Sequence, residues 1–270
     1  MEIKLEGIVK NTVTAKITVT AKEVGQEQQH VLTGLAKDTT VKGFRKGNAP
    51  LNLVKDALDP EKLKQRTIMH LLDHAVIKAI EENKLKIVGN PLLLESNTAQ
   101  ENWGFSLSFP LYPSLELGEY KAKITSAVKK AKLKDEASKP ENEDKKIKVV
   151  FDTLLDSISF DVPQALIDEE VNHALSRLVR QTETLNLTVD DYLKSLKKTP
   201  EQLKEEYQKT AVESLKLDFI LIAVAKDQKL EVTEVEIKKF QETAAVGDDQ
   251  QSMLKGVLLK RKAVDFLMKL

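Results

Sequence analysis

The stretch TTVKGFRKGNAP, residues 39–50, separates the strand-patterned start of the chain from its first long helical segment. It contains two glycines, one proline and no sustained hydrophobic period, which is typical of a loop. Gly43 and Gly47 can adopt backbone angles that are closed to residues with a side chain. A turn shaped by such glycines can project the side chains between them outward. The stretch therefore predicts an exposed loop.

This loop carries the candidate binding residues of the chain. They are Gly43, Phe44, Arg45, Lys46, Gly47 and Lys42. Between residues 39 and 55 there are four basic side chains and no acidic one. Cations attract phosphate, and an aromatic ring can stack on a base or fill a pocket, so the loop suits an RNA surface or an acidic protein surface. The alternative is that Phe44 packs beneath its own loop while the cations are only solvated.

Strand and helix patterns lie on both sides of the loop. Residues 3–7 and 13–19 alternate apolar and polar side chains, which predicts two strands. Residues 59–83 begin with Asp-Pro-Glu, a helix start, and continue with an apolar face at helical spacing. Two further strands are expected around residues 86–95 and 102–112. The first part of the chain is thus predicted to be an α+β domain, a small antiparallel sheet with long helices.

The later part of the chain lacks strand patterning and contains several helix starts. The candidate N-caps are Asp161, Thr188, Thr199 and Thr233. A side-chain oxygen at such a position can accept a hydrogen bond from a free amide of the first helical turn. Four or five helices are expected, with residues 200–230 at the centre of a bundle. An all-α helical domain is therefore predicted to follow the α+β domain.

A net charge of zero hides an uneven distribution of charge. The 270 residues include 42 basic and 42 acidic side chains. Residues 121–150 carry 10 basic and 5 acidic side chains, whereas the part before them is neutral and the part after them is acidic. This shift predicts two domains, residues 1–125 and 148–270, joined by a basic linker over residues 126–147.

Several classes of protein and site are disfavoured by the sequence. The absence of cysteine excludes disulfides, thiolate zinc sites and cysteine nucleophiles. There is no glycine-rich phosphate loop, so no nucleotide cofactor is expected. The N-terminus alternates charged and apolar residues, and the longest apolar run, Phe219 to Ala225, is far shorter than the ~20 residues that span a bilayer. A cytoplasmic protein without a membrane partner is expected.

Histidines and carboxylates suggest no catalytic or metal site in the sequence. His70 and His74 have the i, i+4 spacing of a helical zinc pair, but Leu71 stands where a metalloprotease helix has glutamate. No third ligand is evident, so no metal is expected. The acidic pairs are adjacent residues that point in different directions on a helix, which argues against an acid–base dyad.

The loop and two further stretches resemble one known family. Gly43-Phe44-Arg45-Lys46-Gly47-x-x-Pro50 is similar to the ribosome-binding signature of bacterial trigger factors. Residues 113–121, PSLELGEYK, are similar to the family's N-terminal domain, and residues 160–171, FDVPQALIDEEV, to its helical substrate-binding domain. The resemblance implies a ribosome-binding domain followed by a chaperone domain. The implied partners are a large-subunit ribosomal protein and rRNA at the exit region, and unfolded or nascent polypeptides, with a homodimer allowed when the chain is free.

Two departures from the family pattern leave alternatives open. Asn48 stands where many members carry lysine, which leaves open a holdase or assembly factor that acts without the ribosome. Members usually place an FKBP-like prolyl isomerase between the two domains. Here only about 25 residues join Lys123 to Lys148, and a domain normally needs at least about 50. A non-enzymatic chaperone is therefore expected, with a diverged isomerase as the remaining enzymatic alternative.

Overall fold

A computed structural model describes residues 1–131, 140–244 and 251–270, which form two compact units, Met1–Tyr112 and Pro113–Leu270. The first unit contains β1 (Glu2–Val9), β2 (Thr12–Val19), α1 (Ala21–Ala36), α2 (Leu51–Ala57), α3 (Pro60–Asn83), β3 (Leu92–Asn97) and β4 (Trp103–Pro110). The described part of the second unit contains α4 (Tyr120–Lys130), α5 (Pro140–Ser157), α6 (Gln164–Thr184), α7 (Val189–Leu196), α8 (Pro200–Asp227), α9 (Glu234–Ala244) and α10 (Gln251–Leu267).

The strands of the first unit form one antiparallel sheet in the order β1-β2-β4-β3. Alternate residues of β2, from Val13 to Val19, are buried, which confirms the period-two prediction for this strand. They pair with β4, where Ile17 faces Phe105. One face of α3 covers this sheet and buries Leu71, Ala75 and Ala79 in its core. Asp59 caps α3 by accepting a hydrogen bond from the Glu61 amide, as the sequence predicts.

A second, smaller apolar cluster lies in the first unit between α1, α2 and α3. Its buried residues are Val31, Leu32, Ala36, Val54 and Leu63. We call it the loop-base cluster, because the loop between α1 and α2 begins and ends on it. The short helix α2, which the sequence does not predict, contributes Val54.

The second unit is built around a core formed by α4, α5, α8 and α10. The residues with no exposed surface include Ile124, Leu154, Ile220 and Leu267, one from each of these helices. The long helix α8 thus runs through the bundle as predicted. The sequence predicts four or five helices in this domain, but the described residues contain six from Pro140. The four predicted helix starts precede α6 to α9, whereas α5 begins within the predicted linker and α10 has no predicted start.

The second unit begins earlier in the sequence than the charge shift predicts. The division lies between Tyr112 and Pro113, whereas the charge pattern places the first domain at residues 1–125 and a linker at 126–147. Helix α4 buries Tyr120, Ile124 and Val128 in the second core. The i, i+4, i+8 spacing of these three residues forms one apolar face among lysines, so charge alone does not mark a linker. Residues 132–139 of the predicted linker lie outside the described residues.

The architecture confirms the predicted fold class, a small antiparallel sheet with long helices followed by helices alone. In the described parts of the chain, none of the helices combines the length and apolarity that crossing a membrane requires.

Candidate functional site

The loop between α1 and α2 is held at both ends by the loop-base cluster. Val41 and Ala49 are partly buried against this cluster, and the residues between positions 42 and 48 are all exposed. At the start of the loop, the Thr39 hydroxyl and amide both donate to the Leu35 carbonyl of α1, the hydroxyl at 2.8 Å. The base of the loop is therefore fixed while its tip is presented to solvent.

Two consecutive turns shape the tip, and each has glycine at its third position. The Phe44 amide donates to the Val41 carbonyl at 3.0 Å, and the Asn48 amide donates to the Arg45 carbonyl at 2.9 Å. Gly43 has φ +89° and Gly47 has φ +84°, values that the third position of a type II turn requires. The positive φ of the two glycines is therefore the backbone feature by which they shape the loop.

Phe44 lies at the junction of the two turns and keeps 41% of its surface exposed. The apolar residues that hold the loop to the unit are Val41 and Ala49, on either side of it. An exposed aromatic ring on a surface loop is available to a partner, since packing beneath the loop would have buried it. The structure thus presents Phe44 together with its neighbouring cations.

The cations of the loop differ in their surroundings. Lys42 and Lys46 each occupy the second position of a turn. Their side chains are exposed, and so is that of Arg45. The Lys46 ammonium lies 3.2 Å from the Asp38 carboxylate, and both side chains are well exposed. An exposed ion pair of this kind contributes little to stability, but it partly neutralises one cation of the site.

Asp38 alters the charge of the loop through this ion pair, but it was not identified from the sequence. It lies one position before the acid-free stretch that begins at residue 39, so a count over that stretch leaves it out. Only the fold-back of the loop brings it to Lys46, eight positions later. The partly buried anchors Val41 and Ala49 were also missed, although an apolar residue at each end of a polar loop is a signal that could have found them.

The described part of the second unit exposes apolar side chains on several helices and in the connection between α6 and α7. They are Val179, Leu185, Leu187, Leu196, Val235, Met253 and Val257. Leu185 and Leu187 lie on either side of Asn186, which has a positive φ of 54° at the end of α6. In addition, a groove of about 700 Å³ lies between α5, α6 and α8. Its lining combines the apolar Leu155, Ile167 and Val212 with charged residues of both signs.

A network at the start of the second unit ties α4 to the end of α8. The Tyr120 hydroxyl donates to the Asp227 carboxylate at 2.9 Å, and the Gln228 amide nitrogen donates to the Tyr120 oxygen at 3.1 Å. Burial, followed by the hydrogen bond to Asp227, raises the pKa of the Tyr120 phenol, and the same hydrogen bond lowers the pKa of Asp227. These groups stay in one protonation state near neutral pH, which suits a structural role.

Comparison with protein families gives two matches that together span almost the whole chain. The family model described as bacterial trigger factor protein (TF) matches residues 1–145, and that of the bacterial trigger factor protein (TF) C-terminus matches residues 116–269. The two ranges overlap over residues 116–145, so no unmatched stretch lies between them.

Individual relatives agree with the family models over part of their length. The trigger factor of Caldicellulosiruptor saccharolyticus is 23% identical over 169 residues, which are 58% of this chain and 37% of the relative. That of Clostridium botulinum (strain Hall) is 33% identical over 144 residues, 53% of this chain and 33% of the relative. The match thus spans about a third of the length of these relatives.

A solved structure shares the fold over the full chain. It comes from work on promiscuous substrate recognition in the folding and assembly activities of the trigger factor chaperone. The match has a TM-score of 0.68 at 14% identity and covers 100% of this chain and 99% of that one.

Proposed function

The chain belongs to the trigger factor family, and from this premise we propose that it is an ATP-independent chaperone of the bacterial cytoplasm that docks at the exit region of the large ribosomal subunit and shields nascent polypeptides. The observation that carries the proposal is the exposed loop tip, in which Phe44 stands beside Arg45 and Lys46 on two glycine turns.

Docking through this loop combines two kinds of contact. Lys42, Arg45 and Lys46 attract rRNA phosphates or an acidic face of an exit-region protein. Phe44 supplies an apolar anchor that fills a pocket or stacks on a base. Because the base of the loop is fixed on the loop-base cluster, little ordering entropy is lost at the tip on binding.

Shielding of a polypeptide is assigned to the helical unit. Its exposed apolar side chains are spread over several helices, and its groove mixes apolar and charged residues. Many weak contacts of this kind suit unfolded chains of varied sequence, because no single contact dominates and release stays fast. Release therefore needs no nucleotide, in line with the lack of a phosphate loop in the sequence.

Co-sedimentation with ribosomes tests the docking site. The triple variant Phe44→Ala, Arg45→Ala and Lys46→Ala is expected to lose pelleting, while its helical circular dichroism is unchanged. Lys62→Ala, Arg66→Ala and Met69→Ala form the matched control, because these exposed residues of α3 also comprise two cations and one apolar side chain. Undiminished pelleting of the loop variant would refute the assignment of the loop.

A second function is favoured by the Asp38–Lys46 ion pair and by Asn48. Both reduce the positive charge that the loop offers, and this favours a holdase or assembly factor that acts without the ribosome. Pelleting at two salt concentrations separates the two functions, since docking through cations weakens as salt rises. A holdase would instead suppress aggregation of an unfolded client without ribosomes and would not pellet with them at either concentration.

The proposal assigns no catalysis to the chain. The two family models overlap and leave no segment between them for a further matched domain. In a coupled assay with a proline peptide, we expect the rate of cis–trans isomerisation to equal the uncatalysed rate. A rate that rises in proportion to protein concentration would support the isomerase alternative.

A further inference from the structure

Three side chains with metal-binding groups converge at one point of the first unit. Glu27 and His30 lie on α1, and His70 lies on α3. The same Glu27 oxygen, Oε1, is 3.1 Å from His30 Nδ1 and 3.4 Å from His70 Nδ1. The two imidazole rings stand edge to face with their centroids 5.8 Å apart. One carboxylate oxygen thus faces a ring nitrogen from each of two helices.

The packing of α1 against α3 supplies the third ligand that the sequence does not reveal. The sequence pattern pairs His70 with His74 on one helix, whereas the structure brings His70 to Glu27 and His30. Glu27 and His30 are three residues apart on α1, so their side chains lie on the same face of that helix. His74, one turn after His70, lies outside this group.

The distances fit the coordination of a small divalent ion. Zinc is bound at about 2.0–2.2 Å by histidine nitrogen and carboxylate oxygen, so neighbouring ligands of an ideal tetrahedron lie about 3.3 Å apart. The two distances from Glu27 already have this length. All three ligand atoms lie within 4.8 Å of one another, so a small rotation of the rings closes the remaining edge.

We propose that Glu27, His30 and His70 bind a divalent transition metal ion, with zinc as the representative, and that the ion tethers α1 to α3. Two imidazoles and one carboxylate are a donor set of zinc and related ions, whereas magnesium and calcium prefer oxygen ligands alone. Three protein ligands leave a fourth position for water. This side is open, because His30 is 69% exposed, whereas Glu27 is only 17% exposed and holds the site to the protein.

The tether has a thermodynamic consequence for the first unit. The three ligands come together only when α1 packs on α3, so the ion binds the folded state in preference to the unfolded chain. Zinc should therefore raise the unfolding temperature of this unit. Trp103, the single tryptophan, is buried in β4 of the same unit, so its fluorescence reports this transition.

Titration of the full chain, freed of any affinity tag, with zinc chloride tests the site. Isothermal calorimetry is expected to give one ion per chain, and His70→Ala to weaken the affinity by at least about tenfold. His74→Ala is the matched control, since it removes an exposed histidine from the same helix and should leave the affinity unchanged. Magnesium chloride should give no saturable binding. In the fluorescence-detected melt, zinc should stabilise the wild type and His74→Ala but not His70→Ala.

Equal zinc affinity of the wild type and His70→Ala would overturn the site. So would an equal loss in His70→Ala and His74→Ala, because that pattern points to scattered surface histidines. If His70→Ala does not fold, His30→Ala tests the same ligand set at the most exposed of the three positions.

Discussion

At the scale of single residues, Gly43 and Gly47 share a positive φ but differ in their surroundings. A Cβ atom at Gly47 would lie 3.3 Å from the carbonyl oxygen of Lys37, whereas a Cβ at Gly43 would meet nothing within 4 Å. The left-handed conformation costs a residue with a side chain about 1–2 kcal/mol. Both positions carry this cost, and Gly47 alone is also crowded by backbone.

Alanine at these two positions should therefore have unequal effects. We expect Gly43→Ala to lower the free energy of unfolding of the first unit by about 1 kcal/mol, and Gly47→Ala by about 2 kcal/mol or more. Urea unfolding followed by Trp103 fluorescence measures both. Equal losses would mean that the approach to Lys37 has no energetic weight. If the loop docks, ribosome pelleting should fall in the same order.

Asp38 should act on binding and hardly on stability. Its ion pair with Lys46 is exposed, so Asp38→Asn should change the free energy of unfolding by less than about 1 kcal/mol. Removing the negative charge leaves Lys46 free for a phosphate, so ribosome affinity should rise severalfold at low salt and less at high salt.

Asp73→Asn makes the same change of charge at an exposed position of α3 and serves as the control for Asp38→Asn. Equal gains in ribosome affinity for the two variants would show that total charge, and not the loop, sets the affinity.

The features of the candidate site that depend only on neighbouring residues in the sequence were predictable. Glycine spacing and charge predict an exposed turn that carries Phe44, and the structure has this turn. The Asp38–Lys46 pair and the contact between Glu27 and His70 were not predictable in this way. The first depends on how the loop folds back, and the second on how two helices pack, and neither leaves a periodic trace in the sequence.

At the scale of elements, helix starts were predictable where one side chain suffices to form the cap. Thr188, Thr199 and Thr233 each accept a hydrogen bond from the amide three residues later, as their spacing predicts. The N-cap position of α6 is occupied by Pro163 and not, as predicted, by Asp161. On α3, Ala75 and Ala79 face the sheet, so Ile77 lies off the buried face of this helix and is exposed.

Glu236 should make the attachment of α9 to α10 dependent on pH. Its carboxylate accepts hydrogen bonds from the Thr233 amide and the Lys262 ammonium, and these, Lys262 first, lower its pKa to about 2. A pKa below the unfolded value of about 4.5 stabilises the fold above that pH, and this contribution is lost as pH falls toward 2. Glu236→Gln should therefore be less stable than wild type at pH 7, and the difference should shrink below pH 4.5.

Urea unfolding followed by circular dichroism at several pH values measures this difference. Glu234→Gln is the control, because Glu234 lies in the same first turn of α9 and the substitution removes the same charge. A stability difference for Glu236→Gln that does not change with pH would show that the side chain acts by packing and not by its charge.

At the scale of the whole molecule, the balance of 42 basic and 42 acidic side chains conceals where charge acts. A molecule with zero net charge gains no long-range attraction to a polyanion from its charge as a whole. Any attraction must come from cations gathered at one place, and within the Debye length of about 8 Å at physiological salt only the local group counts. Lys42, Arg45 and Lys46 on one loop form such a group.

The salt dependence of ribosome binding should consequently report a small number of charges. Each neutralised phosphate adds about 0.7–0.9 to the slope of log affinity against log salt, so the three loop cations predict a slope of about −2 to −3. Arg45→Ala should make the slope shallower by about one, because one phosphate contact is lost. Arg66→Ala on α3 removes the same charge from an exposed helix position and should leave the slope unchanged.

The slope and the affinity together distinguish the parts played by charge and by the ring. Phe44→Ala should weaken binding at every salt concentration and leave the slope as it is, because an apolar contact releases no counterions. Arg45→Ala should weaken binding most at low salt. A wild-type slope several times steeper, or one that Arg45→Ala does not alter, would show that cations elsewhere on the chain carry the attraction. Docking through three residues of one loop would then be excluded, although the family membership would stand.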